Sequence, residues 1–204
     1  VPKGSVDKIF INTTGIGEIL YKGISSNNIT QNDLILVNRD IGTHGATIFA
    51  SREGMDMNSN LKSDCASLYP QVKALIDSGV KITALRDATR GGVSAVLNEW
   101  AKQSNICIEV DEEKIPVCDE VKGICEMLGF EATNLANEGT FVLAIDKNDA
   151  AKAIEVLHTF SEASNACIIG TVTQQYPQKV VLNSAWGTKR FLDVPTGELL
   201  PRIC

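Results

Sequence analysis

Apolar residues along this chain alternate between two spacings, and that alternation limits the fold more than any other feature. Val93, Val96, Leu97 and Trp100 recur at i, i+3, i+4, i+7, and Val121, Ile124, Cys125 and Leu128 repeat the spacing. Each set lines one face of an α-helix. Around them lie short apolar runs, Leu34 to Val37, Ile106 to Val110, Phe141 to Ile145, Ala166 to Val172 and Lys179 to Leu182, which read as strands. Further helices are expected from about Tyr69 to Ser78, through Ala153, Ile154, Leu157 and Phe160, and from Gly42-Thr43-His44-Gly45 to about Arg52. Val180 to Asn183 and Lys189 to Leu192 flank Ala185-Trp186-Gly187-Thr188 as a closing hairpin. Helices interleaved with strands describe a layered α/β or α+β domain. An isolated apolar run, Ile9 to Ile11, precedes it across the polar stretch Ser25-Ser26-Asn27-Asn28, and a domain boundary is expected near residue 28.

With 204 residues, 44% of them hydrophobic, the chain can build one substantial core. A formal charge of -6 leaves no basic footprint for phosphate backbones, so no nucleic-acid partner is expected. No apolar run approaches the ~20 residues of a membrane span. No charged leader opens the chain, and the reading is cytoplasmic. Cysteines stand at 65, 107, 118, 125, 167 and 204, without even, loop-rich spacing, which argues against a disulfide framework. There is no CxxC, and His44 and His158 are not paired at ligand spacing, so no metal site is expected. Cys65, Cys107, Cys125 and Cys167 read as buried small hydrophobes, and Cys118 is ambiguous. The start at Val1-Pro2-Lys3-Gly4 reads as a cut inside a longer protein.

Chemistry concentrates in four places. Asp87-Ala88-Thr89-Arg90-Gly91-Gly92 leads directly into the Val93 helix. Thr89 is the N-cap candidate, and the glycines would admit a ligand to the first-turn N–H groups. Arg90 opposes the helix dipole unless an anion sits there; the alternative is an arginine that reaches solvent or pairs with Asp87. Gly42-Thr43-His44-Gly45 would admit phosphate or merely turn the chain, with His44 as anion contact, proton donor or structural residue. Asn137-Glu138-Gly139 precedes a strand, where Glu138 could project as a general base or form an ordinary turn. Cys204 ends an arm containing Pro195, Gly197 and Pro201. A terminal thiol on such an arm can reach more than one active site, given a pocket that favours the thiolate; a frayed end is the alternative.

Together with the opening Phe10-Ile11-Asn12-Thr13-Thr14-Gly15-Ile16-Gly17, these motifs, and above all the ending Pro201-Arg202-Ile203-Cys204, closely resemble the HypE family of hydrogenase maturation proteins. The resemblance runs the length of the chain. It places the sequence in the superfamily of aminoimidazole ribonucleotide synthetase, selenophosphate synthetase and thiamine-monophosphate kinase. It implies a C-terminal α/β domain with a mixed sheet packed by helices. The implied divisions are residues 1–28 as the remnant of an ATP-binding and dimerising domain, 29–194 as the C-terminal domain, and 195–204 as a mobile tail.

The implied activity is carbamoyl dehydration. Cys204 accepts a carbamoyl group from the carbamoyltransferase HypF, ATP drives dehydration of the thiocarbamate to a thiocyanate, and the cyanide passes to iron on a HypC–HypD scaffold. Glu138 matches the family pattern as the base. Asp87, Thr89, Arg90, Gly91, Gly92, His44 and Asn137 match positions expected near nucleotide phosphate. ATP and Mg are the implied cofactors and a homodimer the implied state of the full-length protein. The family's ATP-binding half, with its acidic magnesium ligands and a lysine just before Val1, is missing from this sequence, so the fragment alone is expected to be inactive. A kinase of the same superfamily and a thiol carrier or scaffold without its own catalysis are the alternatives.

Overall fold

The computed structural model describes residues 12–19, 21–55 and 61–194. The expected strand at Ile9 to Ile11 and the arm from Pro195 to Cys204 lie outside the described residues. Seven strands, β1 (Leu34–Val37), β2 (Ile82–Asp87), β3 (Cys107–Asp111), β4 (Phe141–Ile145), β5 (Cys167–Thr173), β6 (Lys179–Asn183) and β7 (Lys189–Phe191), form one sheet in the order β2-β4-β1-β5-β3-β6-β7. Every neighbouring pair is antiparallel except β3 and β6, which run parallel. The sheet is therefore mixed, and β6 and β7 form the expected hairpin.

Among the described residues, five helices cover it: α1 (Thr43–Arg52), α2 (Tyr69–Asp77), α3 (Gly92–Gln103), α4 (Asp119–Leu128) and α5 (Ala150–Leu157). Successive strand residues point to opposite faces, so the central β4 is buried at every position and serves two cores. Val142 and Ala144 meet α3 through Val93, Val96, Leu97 and Trp100. Phe141, Leu143 and Ile145 meet α2 and α5 through Leu75, Ala153 and Leu157. A smaller cluster joins α1 to α4 through Ala46, Ala50, Val121 and Ile124.

Two elements differ from the sequence reading. Strand β2 was not expected. Its pairing with β4 carries a register irregularity between Ile82 and Ala84, and its exposed end, Arg86 and Asp87, blurs the apolar run. Helix α5 ends at Leu157, with the His158 N–H bonded to the carbonyls of Ile154 and Val156. Phe160 therefore lies beyond the helix, although it still packs on the second core. The segment from Ser25 is tied to the domain: its N–H donates to the Thr83 carbonyl at 2.9 Å, and Ser26 Oγ donates to Gln103 at 2.6 Å.

Candidate functional site

Strand pairing alone brings three of the singled-out motifs to one end of the sheet. Val37 is opposite Val142 and Asp87 is opposite Phe141. The chain leaving β1 at Gly42, the chain leaving β2 at Ala88 and the turn entering β4 at Asn137 must therefore meet. Asn137 joins them. Fully buried, its side-chain oxygen accepts the Gly42 N–H at 2.7 Å, and its amide donates to the carbonyls of Ala88 at 2.9 Å and Leu135 at 3.1 Å. Main-chain bonds from Gly45 to Ala136 and from Ala88 to Thr140, each 2.9 Å, complete the junction.

The next three residues are clasped from the other side by Asp64, itself 3% exposed. One carboxylate oxygen accepts the Glu138 N–H at 3.0 Å; the other accepts the Gly139 N–H at 3.0 Å and the Thr140 hydroxyl at 2.9 Å. Three donors satisfy both oxygens of a carboxylate that is costly to bury otherwise. Asn38, also buried, accepts the Phe141 N–H at 2.8 Å and donates to Gln71 at 2.9 Å and to the Gly139 carbonyl at 3.3 Å. Position 139 must be glycine, because a Cβ there would stand 1.8 Å from the Asp64 carbonyl oxygen. Glu138 is thus an exposed carboxylate between two buried residues, on a turn fixed by four side chains. Asp64, Asn38 and Gln71 were not among the sequence candidates.

The loop after β2 leaves Asp87 and Arg90 exposed, with Thr89 and Gly91 half-buried. Thr89 does not cap α3. Gly91, in the left-handed region at φ 74°, holds the N-cap position without a side-chain bond, and the Thr89 carbonyl accepts the Gly92 N–H at 3.1 Å. Two successive glycines of positive φ carry the turn past Thr89 and delay the helix by two residues. Gly92 serves packing, since a Cβ there would lie 2.4 Å from the Thr133 oxygen and 2.5 Å from that of Leu135. His44 follows the left-handed Gly42 in the first turn of α1. Its Nδ1 meets Ser63 Oγ at 2.8 Å, and its Nε2 is buried with no hydrogen-bond partner among the described residues.

Cys65, expected inside, is exposed; it sits in the irregular stretch beside Asp64, where no helix or strand turns it inward. Cys107 and Cys125 are buried, and Cys118 and Cys167 are half-buried. Burial, with Asp40 adding to it, pushes the Cys167 thiol up to about 11. Burial also raises Cys118 and Cys125, so none of these three is a poised nucleophile. Cys204 lies outside the described residues. No group of three or more potential metal ligands occurs among the described residues. No helix there is long and apolar enough to cross a membrane.

Residues 30–183 match the family described as AIR synthase related protein, C-terminal domain. The carbamoyl dehydratase HypE of Escherichia coli strain K12 is 44% identical over 208 residues, covering 100% of this chain and 60% of that protein. A crystal structure of hydrogenase maturation protein HypE in complex with ATP matches with a TM-score of 0.92 and 38% identity, over 100% of this chain and 62% of that one. The HypE–HypF complex contains a chain that matches with a TM-score of 0.81 and 37% identity, over 86% of this chain and 58% of that one. The chain thus spans about 60% of the length of the curated relative it matches.

Proposed function

The chain belongs to the AIR synthase related family, as its C-terminal domain, and is homologous to the HypE proteins; from that premise we propose that it is the C-terminal part of a carbamoyl dehydratase acting in hydrogenase maturation. Residues 29–194 form the folded domain, 1–28 continue from an ATP-binding domain, and 195–204 carry Cys204 to the site. The observation that carries this reading is Glu138. Its carboxylate is exposed on a turn clasped by Asp64, at the sheet end where the Asp87–Gly92 and Gly42–Gly45 loops converge.

The residues fit a nucleotide phosphate on one side. Half-buried Gly91 opens α3 without a side-chain cap, with exposed Arg90 in the same loop, and a helix start of this kind favours an anion. Bound ATP supplies a phosphoryl group that turns the carboxamide oxygen into a leaving group. The chain's own residues do the rest. Cys204 Sγ holds the carbamoyl carbon, and the C–O bond breaks as the C≡N bond forms. The two nitrogen protons leave in turn, one as the oxygen is phosphorylated and one as phosphate departs with the C–O electron pair; exposed Glu138 accepts each and passes it to water between the two steps. Asp64, already satisfied by three donors, positions the turn.

A relative crystallised with ATP supports ATP as the cosubstrate; Mg belongs to the same reading as the companion of its phosphates, held mostly by residues outside this chain. A relative crystallised with HypF supports HypF as carbamoyl donor. Delivery to a HypC–HypD complex, a homodimeric full-length protein and inactivity of the isolated chain complete the reading. Intact-mass analysis of the full-length protein with HypF, carbamoyl phosphate and ATP tests it. A carbamoyl adduct that subsequently loses one water, and is missing in Cys204→Ala, is the expected result. An unmodified parent in the presence of active HypF would refute it.

A further inference from the structure

Glu138 is held from two sides, and both lead back to the first turn of α1. On one side the Gly45 N–H donates to the Ala136 carbonyl at 2.9 Å and the Gly42 N–H to the Asn137 side chain at 2.7 Å. On the other, Asp64 receives the N–H groups of Glu138 and Gly139 and the Thr140 hydroxyl. Asp64 itself belongs to an irregular stretch outside any helix or strand. Leu61 packs that stretch on the α1–α4 cluster. Next to Asp64 the tie is polar: Ser63 Oγ meets His44 Nδ1 at 2.8 Å and accepts the Cys65 N–H at 3.2 Å. One hydroxyl therefore gathers the residues on both sides of Asp64 and joins them to α1. His44 Nε2 is enclosed, with no hydrogen-bond partner among the described residues. An unpaired acceptor is tolerated inside a protein more readily than an unpaired N–H, which puts the proton of the neutral imidazole on Nδ1, donating to Ser63.

We infer that His44 is a positioning residue for Glu138: through Ser63 it holds Asp64 in place, and Asp64 holds the turn. The inference rests on the reaction proposed above, in which Glu138 is the base. The hydrogen bonds close a circuit from α1 through Ser63 and Asp64 to the turn, and back through Asn137 to α1. Opening the circuit at Ser63 leaves the clasping carboxylate on a stretch free to shift. A reacting group displaced by about 1 Å loses on the order of a hundredfold in rate. His44 thus works through Nδ1, whereas an anion contact would need Nε2, which is enclosed.

Substitutions that keep one nitrogen position and discard the other separate these roles. Asn carries its amide at the distance of Nδ1 from the main chain, and Gln at that of Nε2. His44→Asn, His44→Gln and Ser63→Ala are made in the full-length protein and loaded by HypF. Single-turnover loss of water is followed by mass, and amide hydrogen exchange is measured over residues 138–140. Dehydration slows about tenfold to a hundredfold in His44→Gln and Ser63→Ala, with the ATP requirement unchanged. Exchange at Glu138 and Gly139 accelerates about tenfold in the same two variants. His44→Asn restores most of both, to within about threefold of the parent. Ser63→Ala leaves the imidazole intact, so it decides if His44→Gln misfolds. Parental dehydration in folded His44→Gln or Ser63→Ala would overturn the inference. So would the opposite pattern, His44→Gln active and His44→Asn impaired with a raised ATP requirement, which belongs to an anion contact through Nε2. A parent that loads but never loses water counts against the proposed reaction; exchange then decides alone, and parental protection in both His44→Gln and Ser63→Ala would overturn the inference.

Discussion

Removing the Asp64 carboxylate should loosen the turn that holds Glu138. Asp64→Ala strands the N–H groups of Glu138 and Gly139 and the Thr140 hydroxyl, two of them on buried residues. Each unsatisfied buried donor costs on the order of 1 to 3 kcal/mol, and relaxation recovers part of that. The expected loss is about 2 to 4 kcal/mol in urea unfolding. A change below about 0.5 kcal/mol would mean that water replaces the carboxylate. Nothing in the local sequence marks Asp64, because its partners lie 74 to 76 positions away and a polar stretch has no period to read. The turn that carries Glu138 was legible because its residues, Asn137-Glu138-Gly139, precede an apolar run. Cys65 was misread, since apolar surroundings in sequence do not place a residue inside when its segment adopts no regular structure.

Helix α3 links the core, the loop after β2 and the chain at Leu192 and Asp193. Its apolar stripe at 93, 96, 97 and 100 was visible in the sequence because the face it buries is continuous. Its start was not. Side-chain capping preference pointed to Thr89, but paired glycines of positive φ override that preference by changing where the chain can turn. Gly92→Ala should therefore act through packing: the new methyl would meet two carbonyl oxygens at 2.4 and 2.5 Å, in a conformation of φ 60°. A destabilisation of at least about 2 kcal/mol is expected in thermal or urea unfolding, and a neutral result would show that the 132–135 turn yields. Strand β2 escaped notice for a related reason. A register irregularity interrupts its alternation, and its pairing with β4 supplies what its own sequence leaves weak.

At the scale of the molecule, the layered α/β class followed from alternating periodicities, whereas the strand order did not, since pairing across the sheet leaves no local trace. That order matters to function. Placing β4 between β2 and β1 brings the turn at 137–139 between two glycine loops, and Asn137 and Asp64 make the junction rigid. The central claim is that this junction presents Glu138 as the base for a thiocarbamate on Cys204. Single-turnover mass analysis of full-length Glu138→Gln, after loading by HypF and addition of ATP, tests it most directly. The account predicts a carbamoyl adduct that forms normally and then persists, with loss of water slowed about a hundredfold or more; loss of water at the parental rate would contradict it.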